Sequence, residues 1–115
     1  MIAIIDYDAG NLKSVEKALL SLGQETVITR DPDVIRNADK AILPGVGAFG
    51  DAMQNLRNFG LVDVIREFAA GKKPFLGICL GLQLLFEHSE ESPGAEGLGI
   101  LKGDILRIPP CDGLK

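Results

Sequence analysis

Hydrophobic positions follow two rhythms along this chain: short unbroken apolar runs, and longer stretches with an apolar residue every three or four positions. The first run, Ile2–Ile5, ends at Asp6. A run without polar alternation predicts a strand covered on both faces, as in a parallel sheet. Leu12, Val15, Ala18, Leu19 and Leu22 then recur at helical spacing, with Asn11 placed to cap the helix and Gly23 to close it. Further strands are predicted over residues 26–28, 40–43 and 75–78. Between them, Asp31-Pro32-Asp33 turns the chain and starts a short helix to Ala38. Asp51 stands where it can cap a helix carrying Met53 and Leu56. Phe59-Gly60 interrupts that helix, and Leu61, Val64, Ile65 and Phe68 continue as a second piece to Gly71.

After residue 78 the pattern predicts a sharp turn, a helix through Phe86, a polar loop over residues 89–97, and two more strands over 98–101 and 105–108. The tail from Pro109 has no periodicity. This order implies an α/β layered fold, a mainly parallel sheet flanked by helices, in a single domain over residues 1–115. Ligands of such sheets sit at the carboxyl ends of the strands. Three loops qualify: residues 6–11, residues 44–50, and the turn around Cys79.

Composition narrows the function classes. A net charge of -4 gives no basic footprint for nucleic acid or an anionic membrane. No run approaches the length of a membrane span, and the N-terminus lacks the basic region of a signal peptide. Cys79 and Cys111 belong to no C-x-x-C pair, which fits a reducing, cytoplasmic compartment. No metal and no cofactor is expected.

The chemistry concentrates at Gly77-Ile78-Cys79-Leu80-Gly81. This is a G-x-C-x-G elbow between a strand and a helix. Its glycines permit the tight turn that lifts a nucleophile out of the sheet. A following helix favours thiolate through its N-terminal dipole. Cysteine here points to thiol-based acyl transfer, with the Leu80 N–H available to a developing oxyanion. Gln83, four residues on, shares the helix face with Cys79, so it either meets a polar substrate or is a solvated helix residue. The loop Gly45-Val46-Gly47-Ala48-Phe49-Gly50 spells G-x-G-x-x-G. It follows the third strand rather than the first, and the next strand ends in Cys79 where a ribose-binding acid should stand, so a dinucleotide site is disfavoured. It reads as a backbone-amide donor loop beside the thiol, or as a plain tight turn.

His88-Ser89-Glu90 offers the residue types of a Cys-His-Glu triad. A helix from Cys79 to His88 would separate them by roughly 13 Å, too far for a base that must come within about 3 Å of its nucleophile. Cys111 has no assigned role. Asp6, Asp8 and Asn11 either bind a ligand or cap their turn.

Residues 44–53 and 77–87, with the opening Ile4-Ile5-Asp6-Tyr7-Asp8-Ala9-Gly10-Asn11-Leu12, resemble the class I (triad) glutamine amidotransferases. Pro44-Gly45-Val46-Gly47 narrows the resemblance to the glutaminase subunits of imidazole glycerol phosphate synthases. The resemblance runs in register along essentially the whole chain. It implies that Cys79 is the nucleophile attacking the side-chain amide of L-glutamine. Leu80 and the Val46 and Gly47 region would form the oxyanion hole, after a reorientation of the loop. Gly47, Gln83 and Glu91 would bind glutamine, Glu91 through its ammonium. Ammonia would pass to a cyclase subunit with a (β/α)8 barrel, in histidine biosynthesis, with Asp6 and Asn11 near that partner. The family's catalytic histidine and glutamate come from a later H-x-E segment. The chain therefore reads as an N-terminal portion, with little glutaminase activity and an uncovered apolar face when alone.

Overall fold

The computed structural model describes residues 1–8, 11–90, 92 and 94–105. Four strands form one parallel sheet: β1 (Ile2–Ile5), β2 (Thr26–Thr29), β3 (Lys40–Leu43) and β4 (Phe75–Gly77), in the order β2-β1-β3-β4. Helices α1 (Leu12–Ser21), α2 (Pro32–Asn37), α3 (Phe49–Asn58) and α4 (Val62–Ala70) link them, as parallel pairing requires. Each apolar run in the first 78 residues thus forms the strand its pattern predicts. A short second sheet pairs β5 (His88–Ser89) with β6 (Asp104–Ile105). Among the described residues, no helix is long and apolar enough to cross a membrane.

The core lies on one face of the sheet. Ala3, Ile5, Tyr7, Ala41 and Leu43 project there by the two-residue period of a strand. They meet Ile35 of α2, Ala52, Met53 and Leu56 of α3, and Val64, Ile65 and Phe68 of α4. The opposite face carries a row that crosses all four strands: Ile28, Ile4, Ile42 and Leu76 are register partners. α1 packs over the β1–β2 end of this row. Cover runs out toward β4, so Ile4 is fully buried while Leu76 is 55% exposed. Ile2, Leu19, Ile42, Phe75 and Leu76 line an open apolar groove of about 330 Å³ there.

Two local expectations are corrected. Asn11 occupies the cap position of α1, but its side chain makes no capping hydrogen bond. Asp51 lies in the first turn of α3, which begins two residues earlier behind Ala48. The amide of Gly50 is satisfied from a distance, donating to Ser92 Oγ at 3.0 Å. A remote cap removes the need for a local one, so α3 starts before its nearest polar residue.

The larger correction concerns the end of the described chain. The helix after Cys79, α5, covers only Leu80–Gln83. Beyond it the amides of Leu85 and Phe86 bond three residues back, to Leu82 and Gln83. The carbonyls of Leu84, Phe86 and Leu85 accept instead from Leu98, Gly99 and Leu101. Those tertiary bonds take the acceptors that a longer helix would use. They also explain why residues 98–101 form an irregular segment and not the predicted strand. Arg57 and Arg66 hold this segment against α3 and α4, through the carbonyls of Glu96 (2.7 Å) and Leu98 (2.8 Å). β5 is a strand whose second residue, Ser89, falls in the stretch expected to be loop. Of the strand expected over 105–108, only Ile105 lies inside the described residues.

Candidate active site

Three chain segments meet at the carboxyl end of the sheet. β4 ends at Gly77, and Ile78 still donates to the Leu43 carbonyl of β3 (3.0 Å). Cys79 follows in a conformation with φ 54° and ψ -122°, in the positive-φ region that L-residues avoid. α5 begins at the next residue, and the thiol is exposed. A non-glycine residue held at such angles stores strain of about 1–3 kcal/mol, and such strain clusters at reactive sites.

The elbow glycines are required by proximity. A Cβ on Gly77 would stand 2.8 Å from Leu82 Cα and 2.9 Å from Leu82 N. A Cβ on Gly81 would collide with the Leu43 carbonyl. The turn thus packs its backbone directly onto β3, which presents the thiol above the sheet edge. With α5 a single turn long, the dipole expected behind the sulfur is reduced to the peptides of that turn. Gln83 is half-buried one turn on, and its backbone N–H donates to the Cys79 carbonyl (3.4 Å).

The glycine loop lies against this elbow. The Leu80 N–H, the first expected oxyanion donor, donates to the Gly45 carbonyl at 3.2 Å. Val46 is exposed, and Gly47 adopts φ +100°. The loop therefore occupies the Leu80 donor in this arrangement. At the root of the loop, the Tyr7 hydroxyl donates to the Pro44 carbonyl at 2.5 Å. Tyr7 is 1% exposed, and burial pushes its phenol far above the usual tyrosine range.

The neighbouring loop after β1 is held by charge. Arg30 Nη2 bonds Asp6 Oδ2 at 3.0 Å and Asp8 Oδ1 at 2.9 Å, and its guanidinium lies 4.2 Å over the Phe59 ring. Both carboxylates favour the charged guanidinium, which raises its pKa further. Asp6 is thus engaged inside the chain, while Asn11 is exposed.

His88 sits in β5, where its register partner is Asp104 and a bridge joins it to Glu96. Because α5 ends at Gln83, the helical-rise argument against His88 lapses, and strand pairing fixes its backbone instead. Glu91 and Cys111 lie outside the described residues. Tyr7, Arg30 and Ser92 were not legible as site residues. Tyr7 and Arg30 act through partners distant in sequence, and Ser92 caps a helix 42 positions away.

The family profile described as glutamine amidotransferase class-I matches residues 3–104. The chain is 58% identical over 106 residues to the imidazole glycerol phosphate synthase subunit HisH of Sulfurimonas denitrificans, covering 92% of this chain and 51% of that one. It is 58% identical over 107 residues to the HisH subunit of Lactococcus lactis, covering 93% of this chain and 53% of that one. The Aquifex aeolicus HisH subunit is 57% identical over 107 residues, covering 92% and 52%. The chain spans about half the length of the curated relatives it matches. A solved glutamine amidotransferase superposes with a TM-score of 0.77 at 22% identity, over 93% of this chain and 57% of that one, which is a likeness of fold.

Proposed function

The chain belongs to the class I glutamine amidotransferase family, and from that premise we propose that it carries the glutamine-hydrolysing centre of an imidazole glycerol phosphate synthase. The observation that carries this reading is the strained elbow. Cys79 is held at positive φ with an exposed thiol, beside a glycine loop whose carbonyl sits on the adjacent backbone donor.

In this reading the Cys79 thiolate attacks the side-chain amide carbon of L-glutamine. The tetrahedral oxyanion takes the Leu80 N–H and an N–H from the Val46–Gly47 region. The C–N bond breaks, and ammonia leaves with a proton supplied by a general acid. Water then cleaves the thioester, releasing glutamate and restoring the thiol. The Gly45 carbonyl must first leave the Leu80 N–H, so the arrangement described here is a resting one. Gln83 and Gly47 hold the substrate, and Glu91 takes its ammonium. Ammonia is consumed by a cyclase partner with a (β/α)8 barrel, in histidine biosynthesis. The loop of Asp6 and Asn11 lies toward that partner.

The test is affinity labelling with an electrophilic glutamine analogue, mapped by peptide mass spectrometry. Modification at Cys79, suppressed by excess glutamine and sparing Cys111, is expected. In the full-length protein, Cys79→Ala is expected to lower glutamine turnover by at least about 10³-fold. Equal labelling of both thiols, or labelling that ignores glutamine, would overturn the assignment.

A further inference from the structure

We infer that Tyr7 is a positioning residue whose hydroxyl latches the glycine loop in its resting arrangement and ties that loop to the charged turn after β1. The inference rests on the glutaminase reading of the same site.

Two observations carry it. The first is the hydrogen bond from Tyr7 Oη to the Pro44 carbonyl. Pro44 has its φ fixed by its ring, so anchoring its carbonyl fixes the plane of the peptide that enters Gly45. The second is steric. A Cβ on Gly45 would run into Tyr7 Oη on one side, and on the other would stand 2.9 Å from Gly81 N and 3.1 Å from Leu80 Cβ. Gly45 is therefore pinched between the tyrosine oxygen and the elbow. In that pinch its carbonyl covers the Leu80 N–H. The phenol oxygen is thus both the anchor before Gly45 and the wall beside it. Its raised pKa keeps it a donor at any ordinary assay pH.

Tyr7 is in turn gripped from both sides along the chain. Asp6 and Asp8 share the one Arg30 guanidinium, and Asp8 is held at φ 63° with its amide donating to Asp6 Oδ1 at 3.3 Å. This clamp is solvent-accessible, whereas Tyr7 and Gly45 are buried. A displacement of the clamp at the surface reaches the Leu80 donor through one side chain.

The test uses the full-length protein without its synthase partner. Tyr7→Phe deletes the hydroxyl and keeps the ring. Its glutaminase kcat is expected to rise about five-fold or more, with KM for glutamine within two-fold. Amide hydrogen exchange of the peptide containing Leu80 is expected to quicken several-fold. Arg30→Gln, a surface change, is expected to move both readouts in the same direction by less, and the double variant to match Tyr7→Phe alone. A Tyr7→Phe protein that folds normally but shows unchanged or reduced kcat, with unchanged Leu80 exchange, would overturn the latch. Should Tyr7→Phe fail to fold, Arg30→Gln decides by the same criteria. Cys79→Ala is run beside them. Activity surviving it would sink the glutaminase reading, while its loss together with a silent Tyr7→Phe would sink the latch alone.

Discussion

At the scale of single residues, the elbow holds its cysteine at a cost in stability. Cys79 is held where only glycine is at ease, and its exposed side chain contributes little packing. Cys79→Gly is therefore expected to stabilise the fold by about 1 kcal/mol in urea denaturation, the ~1–3 kcal/mol of released strain less the ~0.5–1 kcal/mol of glycine entropy. Cys79→Ala keeps the strain, so its midpoint should stay near that of the parent. Equal midpoints for the two variants would mean that the turn is unstrained. Gly81→Ala is the opposite case. A methyl group there has nowhere to go but the Leu43 carbonyl, and a loss above about 3 kcal/mol is expected in the same assay. The geometry of the elbow was legible because the sequence spacing states it: two glycines around one thiol, between a strand and a helix. Tyr7 was not, because nothing local distinguishes a tyrosine that packs from one that holds a carbonyl 37 positions away.

At the scale of elements, the four-strand row across the second sheet face gives a graded experiment. Ile4→Ala removes a fully buried side chain and is expected to cost about 2–5 kcal/mol. Leu76→Ala, on the same row, should cost less than about 1 kcal/mol, because that side chain is 55% exposed. Comparable losses at the two sites would show that another polypeptide covers β4 in solution. The strands were readable because continuous Ile, Leu, Val and Ala runs have few other stable outcomes in a chain of this composition. α3 and α4 followed from the spacing of Met53, Leu56, Val64, Ile65 and Phe68. The length of α5 was not readable. The carbonyls that would extend it, those of Leu84, Leu85 and Phe86, accept from Leu98, Leu101 and Gly99, and periodicity carries no information about which distant amides arrive. The same cause erased the predicted strand over residues 98–101.

At the scale of the whole molecule, apolar side chains remain in contact with solvent at Leu20, Leu22, Val46, Leu76, Leu82 and Leu101. Leu76, on β4 at one end of the described sheet, and the groove it lines are part of that surface. Purified as these 115 residues, the polypeptide is expected to self-associate at micromolar concentration, with a mass in sedimentation above the 12.3 kDa of the monomer. Leu76→Lys should shift that equilibrium toward monomer without loss of helical content. A strictly monomeric parent would mean that the groove is too small to drive association.

Tyr7 is the only tyrosine in these 115 residues, and tryptophan is absent. Near-ultraviolet light absorbed above the phenylalanine bands therefore reports on one phenol, and that phenol is bonded to the root of the glycine loop. These 115 residues carry their own optical label at the root of that loop. A change in tyrosine emission on adding glutamine to these 115 residues, with no added dye, is the signal expected if the loop leaves Leu80 as proposed.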